Sequence, residues 1–197
     1  MPKVVDVEER RASLAAAVLA VVGNSGVDGL TVRAVAAQAG MSPGLVHHYF
    51  PQGKAALLHA AVSLAVSRGV ERMLSVLEDR RGLQAVRAAA FELLPVTEER
   101  QAEWTAWASL WREILTVPSL RLEQVERLAS WRAVLETLLT QAAVDGELAA
   151  GSDSRLMALQ LAAFLDGLGL HAVIDPQLLP PSSLMTHVES FLATVAR

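Results

Sequence analysis

The stretch Ala39-Gly40-Met41-Ser42-Pro43 holds a helix stop and a helix start one residue apart, and it constrains the fold more than any other feature of the 197-residue chain. Glycine ends a helix by taking the left-handed conformation that closes its last turn. Serine followed by proline opens one: the hydroxyl caps free amides, and proline fits the first helical position without losing a needed donor. Upstream, Thr31 is a second candidate cap, and Val32, Val35, Ala36 and Ala39 share one face of a helix over 31–39. Downstream, a short helix ends near Phe50-Pro51. Two short helices joined by a tight glycine-containing turn, with a longer helix on either side, have helix-turn-helix geometry, which offers its second helix to the major groove of DNA.

The periodicity is helical nearly throughout, and no run of alternating β-branched residues calls for a sheet, so the expected class is all-α. A first helix over 8–23 places Leu14, Val18, Val21 and Val22 on one buried stripe. After the motif, a long helix runs from about 52 into the 70s and breaks at Arg80-Arg81-Gly82. Later helices are expected over 83–94, 99–116, 121–145, 153–174 and 182–196, separated by Pro95, Pro118 and glycine- or proline-bearing stretches, about nine in all. This organisation predicts a DNA-binding domain over 1–54, with its motif at 31–50, and a helical ligand-binding and dimerisation domain over 55–197.

An apolar content of 52% is ample for a core, and the absence of cysteine excludes disulfides, thiolate metal sites and cysteine nucleophiles. Acids and bases precede the first apolar stretch, unlike a signal peptide, so a cytoplasmic start is expected. The charge-free stretch 12–27 carries Gly23, Asn24, Ser25 and Gly26 and is too short and broken to span a membrane, which needs about 20 mostly apolar residues. A net charge of −4 argues against a nucleic-acid partner when taken alone. Its distribution softens that objection: residues 1–54 hold Lys3, Arg10, Arg11, Arg33 and Lys54 against Asp6, Glu8, Glu9 and Asp28, a balance of +1.

Within TVRAVAAQAGMSPGLVHHYF, Val35, Ala36 and Ala39 let two helices cross closely, and Ser42 to His48 is polar enough to face outward. Gly44 admits a phosphate backbone, His47 and His48 offer hydrogen bonds to bases or phosphates, and Tyr49 supplies a phenolic donor. Neighbouring histidines do not share a helix face, so a metal site is not expected; a packed structural role for His47 stays open. At these residues the chain resembles the tetracycline-repressor (TetR) family: Thr31, Arg33, Val35, Ala36, Ala39, Gly40, Ser42, Gly44, Val46, Tyr49 and Phe50 fall on its pattern. His47 stands where the family has tyrosine, and PQGK is one residue longer than the usual connection while still delivering Lys54. The resemblance implies that Thr31, Arg33, Ser42, Tyr49 and Lys54 hold phosphates, and that Pro43, Gly44, Leu45, His47 and His48 lie against bases. It also implies a homodimer on double-stranded operator DNA, released by a small-molecule inducer, with no cofactor.

Trp104, Trp107 and Trp111 line one stripe of a helix, and Trp131 lies on the next. Such a stripe is usually core, but tryptophans beside a cavity hold flat or cationic ligands, and the stretch with its following V-P-S-L and F-L-D-G-L is similar to the choline-responsive BetI branch. The helix over 153–174 is apolar on two sides, with Met157, Leu161, Phe164, Leu165 and Leu168 on one stripe and Leu156, Ala163, Leu170 and Ile174 on another. The last helix carries Leu184, Val188, Phe191, Leu192 and Val195. Two such helices from each subunit would pair into a four-helix bundle, so Leu161, Phe164, Leu165, Leu168, Val188, Phe191 and Leu192 are the expected dimer contacts, against closure of the monomer core. No Glu-x-x-His pair, nucleophile elbow or phosphate loop supports an enzyme. The competing reading is a helical protein-interaction module without DNA.

Overall fold

The computed structural model describes residues 7–194 and Ala196, apart from the side chains of Arg112 and Glu113. The described chain forms α1 (Val7–Ser25), α2 (Val32–Ala39), α3 (Pro43–Tyr49), α4 (Lys54–Leu77), α5 (Gly82–Leu93), α6 (Glu98–Ala108), α7 (Trp111–Thr116), α8 (Pro118–Val144), α9 (Ser154–Ile174) and α10 (Leu184–Ala193). Among the described residues β-pairing is confined to an isolated bridge, Leu148 to Ala196, so the all-α class holds. Val195, expected on the last stripe, lies outside the described residues.

One expected helix, 99–116, is two. The hydroxyls of Thr105 and Ser109 each bond a carbonyl four residues back, at 2.8 and 2.7 Å, and the Leu110 amide bonds Trp107 three residues back at 3.0 Å. Side-chain back-bonding bends a helix, and a bond to the residue three back tightens and ends it. The last helix is likewise shorter than expected, because Pro181–Ser183 forms a 3-10 turn before it.

The chain divides into two compact units: the residues up to Arg68 with Thr97–Trp111, and Gly69–Val96 with the residues from Arg112 on. In the first, Leu14, Val18, Val35 and Val46 are fully buried and Phe50 nearly so. Here α6 lies on α1, and the approach is close at Gly23, where an added Cβ would stand 3.0 Å from the Ala102 Cβ. Compactness therefore groups α6 with the reading motif, a different division from one of function at residue 54.

The core of the second unit is built from α5, α8, α9 and α10, with Val86, Leu135, Leu139, Leu161, Leu165, Leu184, Val188 and Leu192 all under 2% exposed. Arg81 precedes α5 and makes no side-chain cap. The turn after α8 supplies one instead: Glu147 accepts from the Leu83 amide at 2.7 Å, and Asp145 takes the Arg81 guanidinium at 2.9 and 3.0 Å.

The two apolar stripes of α9 have separate fates. Leu161, Leu165 and Leu168 are buried inside the protomer, as are Val188 and Leu192 of α10. Burying a leucine is worth about 1.5–3 kcal/mol, and here it is gained without a partner chain. This corrects the expected dimer contacts, because five of the seven are core. Only Phe164 and Phe191 stay half-buried, stacked 4.7 Å apart at 17°. The outward stripe is the other one: Leu156 is 50% exposed and Ile174 69%, with Ala163 exposed between them and open space beside Gly167. By length and composition α9 would cross a membrane, but 44% of its most apolar window is buried.

Candidate nucleic-acid interface

The motif is built by its caps. The Thr31 hydroxyl accepts from the Ala34 amide at 3.1 Å, and the Ser42 hydroxyl from the Leu45 amide at 3.2 Å. Gly40 has φ 63°, and the Met41 amide reaches back to the Ala36 carbonyl at 2.9 Å, so α2 ends where the sequence requires. Val35, Ala36 and Val46 are buried between the helices, and what α3 leaves outward is Ser42, Pro43, Gly44, His47 and His48. Leu45 and Tyr49 are half-buried, with the Tyr49 ring edge-on to His48 at 5.3 Å. His47 is exposed, so it is not a packed core residue. An added Cβ on Gly44 would find nothing nearer than the Ser42 hydroxyl at 4.0 Å, leaving a bare backbone surface.

Beyond the motif, Arg68, Arg72, Arg81 and Arg87 are each paired with a carboxylate, on Glu99, Glu92, Asp145 and Glu189. On the motif, exposed Arg33 has no carboxylate partner among the described residues. Exposed Lys54 is held by a backbone carbonyl, its ammonium donating to Val27 at 2.6 Å, which leaves its full charge unneutralised. The acidic total therefore does not describe the surface that α2 and α3 present. Local cap signals sufficed to find this surface; the tie from Lys54 to Val27 has no sequence signal.

The tryptophans separate into two groups. Trp104, Trp107 and Trp111 form an edge-to-face ladder in the first unit, with ring centroids 5.1 and 5.2 Å apart. Trp107 is buried, Trp104 half-buried and Trp111 42% exposed. Trp131 is packed in the core of the second unit. Glu103, beside the ladder on α6, is buried, a feature the sequence reading passed over. One cleft of about 690 Å³ lies between α8 and α9, walled by Arg132, Glu136, Arg155 and Leu156; another of about 530 Å³ lies between α1 and α6. No tryptophan lines either of these clefts. In the second unit, burial pushes the Asp166 carboxyl above its ordinary value against the pull of Arg127 and Arg132, and burial lowers Arg127.

Comparison with known proteins agrees with this geometry. The family described as bacterial regulatory proteins, tetR family, matches residues 14–72, and the BetI-type transcriptional repressor C-terminal family matches residues 82–197. The HTH-type transcriptional regulator BetI of Paraburkholderia phymatum is 32% identical over 180 residues, 89% of this chain and 87% of its own length. A solved transcriptional regulator from Rhodococcus sp. Rha1 is 30% identical with a TM-score of 0.75, covering 94% of this chain and 97% of that one. A regulator from Saccharomonospora viridis, solved in complex with choline, superposes with a TM-score of 0.85 at 19% identity, covering 96% and 99% of the two chains, a likeness of fold.

Proposed function

Since the chain belongs to the TetR family of bacterial regulatory proteins, with a BetI-type C-terminal region, we propose that it is a ligand-responsive transcriptional repressor that binds a palindromic operator as a homodimer. The observation that carries this reading is α3 itself: a short helix capped by Ser42, with Pro43, Gly44, His47 and His48 outward and Arg33 unneutralised nearby. Thr31, Arg33, Ser42, Tyr49 and Lys54 take phosphates, while Pro43, Gly44, Leu45, His47 and His48 meet base edges. No residue is assigned a catalytic role, and the working compartment is the cytoplasm, where the operator is.

A two-fold dimer would set two copies of α3 in successive major grooves, about 34–36 Å apart. The outward stripe of α9, with Phe164 and Phe191, forms its interface. The inducer is a small cation: the choline complex of the Saccharomonospora viridis regulator supports this, as does the tryptophan ladder. Aromatic faces attract quaternary ammonium groups. The cation acts only through its differential affinity for the DNA-competent and DNA-released dimers. Anisotropy of a labelled duplex tests the reading: Arg33→Ala weakens binding to every sequence and makes the salt slope shallower, and choline at fixed salt releases operator. A chain that ignores all duplexes in dilute buffer overturns it.

A further inference from the structure

A cation on the first helix stands at the end of α3. The guanidinium carbon of Arg11 lies 5.2 Å from the ring centroid of Phe50. Phe50 is the residue that closes α3: its amide bonds the Val46 carbonyl at 2.9 Å, and its side chain is only 3% exposed. The ring is thus a fixed platform. Arg11 is exposed, and although Glu8 and Glu9 occupy the same first turns of α1, no carboxylate pairs with it among the described residues.

The contact has a particular chemistry. Attraction to a ring face restrains a guanidinium without cancelling its charge or using up its five N–H donors. Arg68, Arg72, Arg81 and Arg87 are neutralised in ion pairs, whereas Arg11 is restrained by an aromatic ring and left charged. Its position supplies the partner. Seven residues make α3 only about 10 Å long, so a cation fixed at its end stays close to whatever surface α3 docks on. Where a helix enters a major groove, the groove's walls are phosphate.

Resting on the DNA-binding reading above, we propose that Arg11 is a phosphate-binding residue of the operator interface, held ready by Phe50. The rival is a purely structural role, in which the contact merely ties α1 to α3. The two differ in salt dependence, because only a phosphate contact releases counterions.

The test uses the full-length protein and a labelled duplex of arbitrary sequence, about three helical turns long, with affinity measured across a salt series for wild type, Arg11→Gln and Arg11→Lys. Arg11→Gln is expected to bind about tenfold more weakly, the size of one charge-assisted hydrogen bond, with a slope shallower by about 0.9. Arg11→Lys is expected to keep the wild-type slope. If Arg11→Gln retains that slope, whether or not affinity falls, Arg11 is structural and the proposal is overturned while DNA binding stands. Wild type that ignores the duplex at low salt overturns the DNA-binding reading and this one with it.

Discussion

The ammonium of Lys54, the first residue of α4, donates to the backbone carbonyl of Val27 at 2.6 Å, tying the loop after α1 to the helix that follows the reading motif. The bond takes one of three ammonium donors and leaves two for a phosphate. Lys54→Ala is therefore expected to cost about 1 kcal/mol of stability and to reduce the salt slope of DNA binding by about 0.9. Urea denaturation and duplex titration read the two effects separately. Unchanged stability would remove the tie, and an unchanged slope the phosphate contact.

Two glycines in the motif have opposite reasons to be glycine. Gly40 has a positive φ and open space around its missing Cβ, so Gly40→Ala is expected to cost about 1 kcal/mol from backbone strain alone. Gly44 has helical backbone and equally open space, so Gly44→Ala is expected to leave stability unchanged or to raise it by about 0.5–1 kcal/mol. The same methyl group then stands where the duplex backbone must approach, and DNA affinity falls. A Gly44→Ala protein that melts no lower yet binds as wild type would show that α3 does not face DNA.

Ala163 and Leu165 are two residues apart on α9 and face different ways. Ala163→Arg places a charge in the middle of the outward stripe, and sedimentation is expected to show folded monomers. Leu165→Ala, at 1% exposure, is expected to cost about 2–5 kcal/mol of protomer stability. Dimers surviving Ala163→Arg would put the subunit contact elsewhere.

Burial raises the Asp166 carboxyl, while Arg127 and Arg132 oppose the rise. Arg127→Leu removes part of that opposition, so Asp166 climbs further. A carboxyl whose folded value exceeds its unfolded one binds protons preferentially in the folded state, and stability then falls as pH rises through the folded value. The variant is expected to lose about 2 kcal/mol at neutral pH, a value discounted for partial exposure. It regains part of this on acidification toward the ordinary carboxylate range. Urea unfolding at neutral and mildly acid pH checks it; a loss that is the same at both would contradict the assignment.

What the sequence made legible was local. Thr31, Gly40, Ser42 and Pro43 act on their own turns, and each does in the fold what its chemistry predicts. Helix positions followed for the same reason, except at Thr105 and Ser109, where hydroxyl back-bonding divides an apparently continuous pattern, and at Pro181–Ser183, whose 3-10 turn shortens the last helix. Tertiary choices were not legible. Periodicity shows that α9 has two apolar stripes, but the packing of α5, α8 and α10 decides which is buried, and it takes Leu161 and Leu165 rather than Leu156 and Ile174. The pairings of Arg11 with Phe50, Lys54 with Val27 and Leu83 with Glu147 join residues far apart in sequence, and no spacing rule signals them.

Selection of bound duplexes from a random-sequence pool with the purified full-length protein tests the central claim most directly. A head presented twice by a symmetric dimer predicts enrichment of an inverted repeat, with half-site centres about 10 base pairs apart or a multiple of that. A pool that stays random, or a consensus lacking two-fold symmetry, would contradict it.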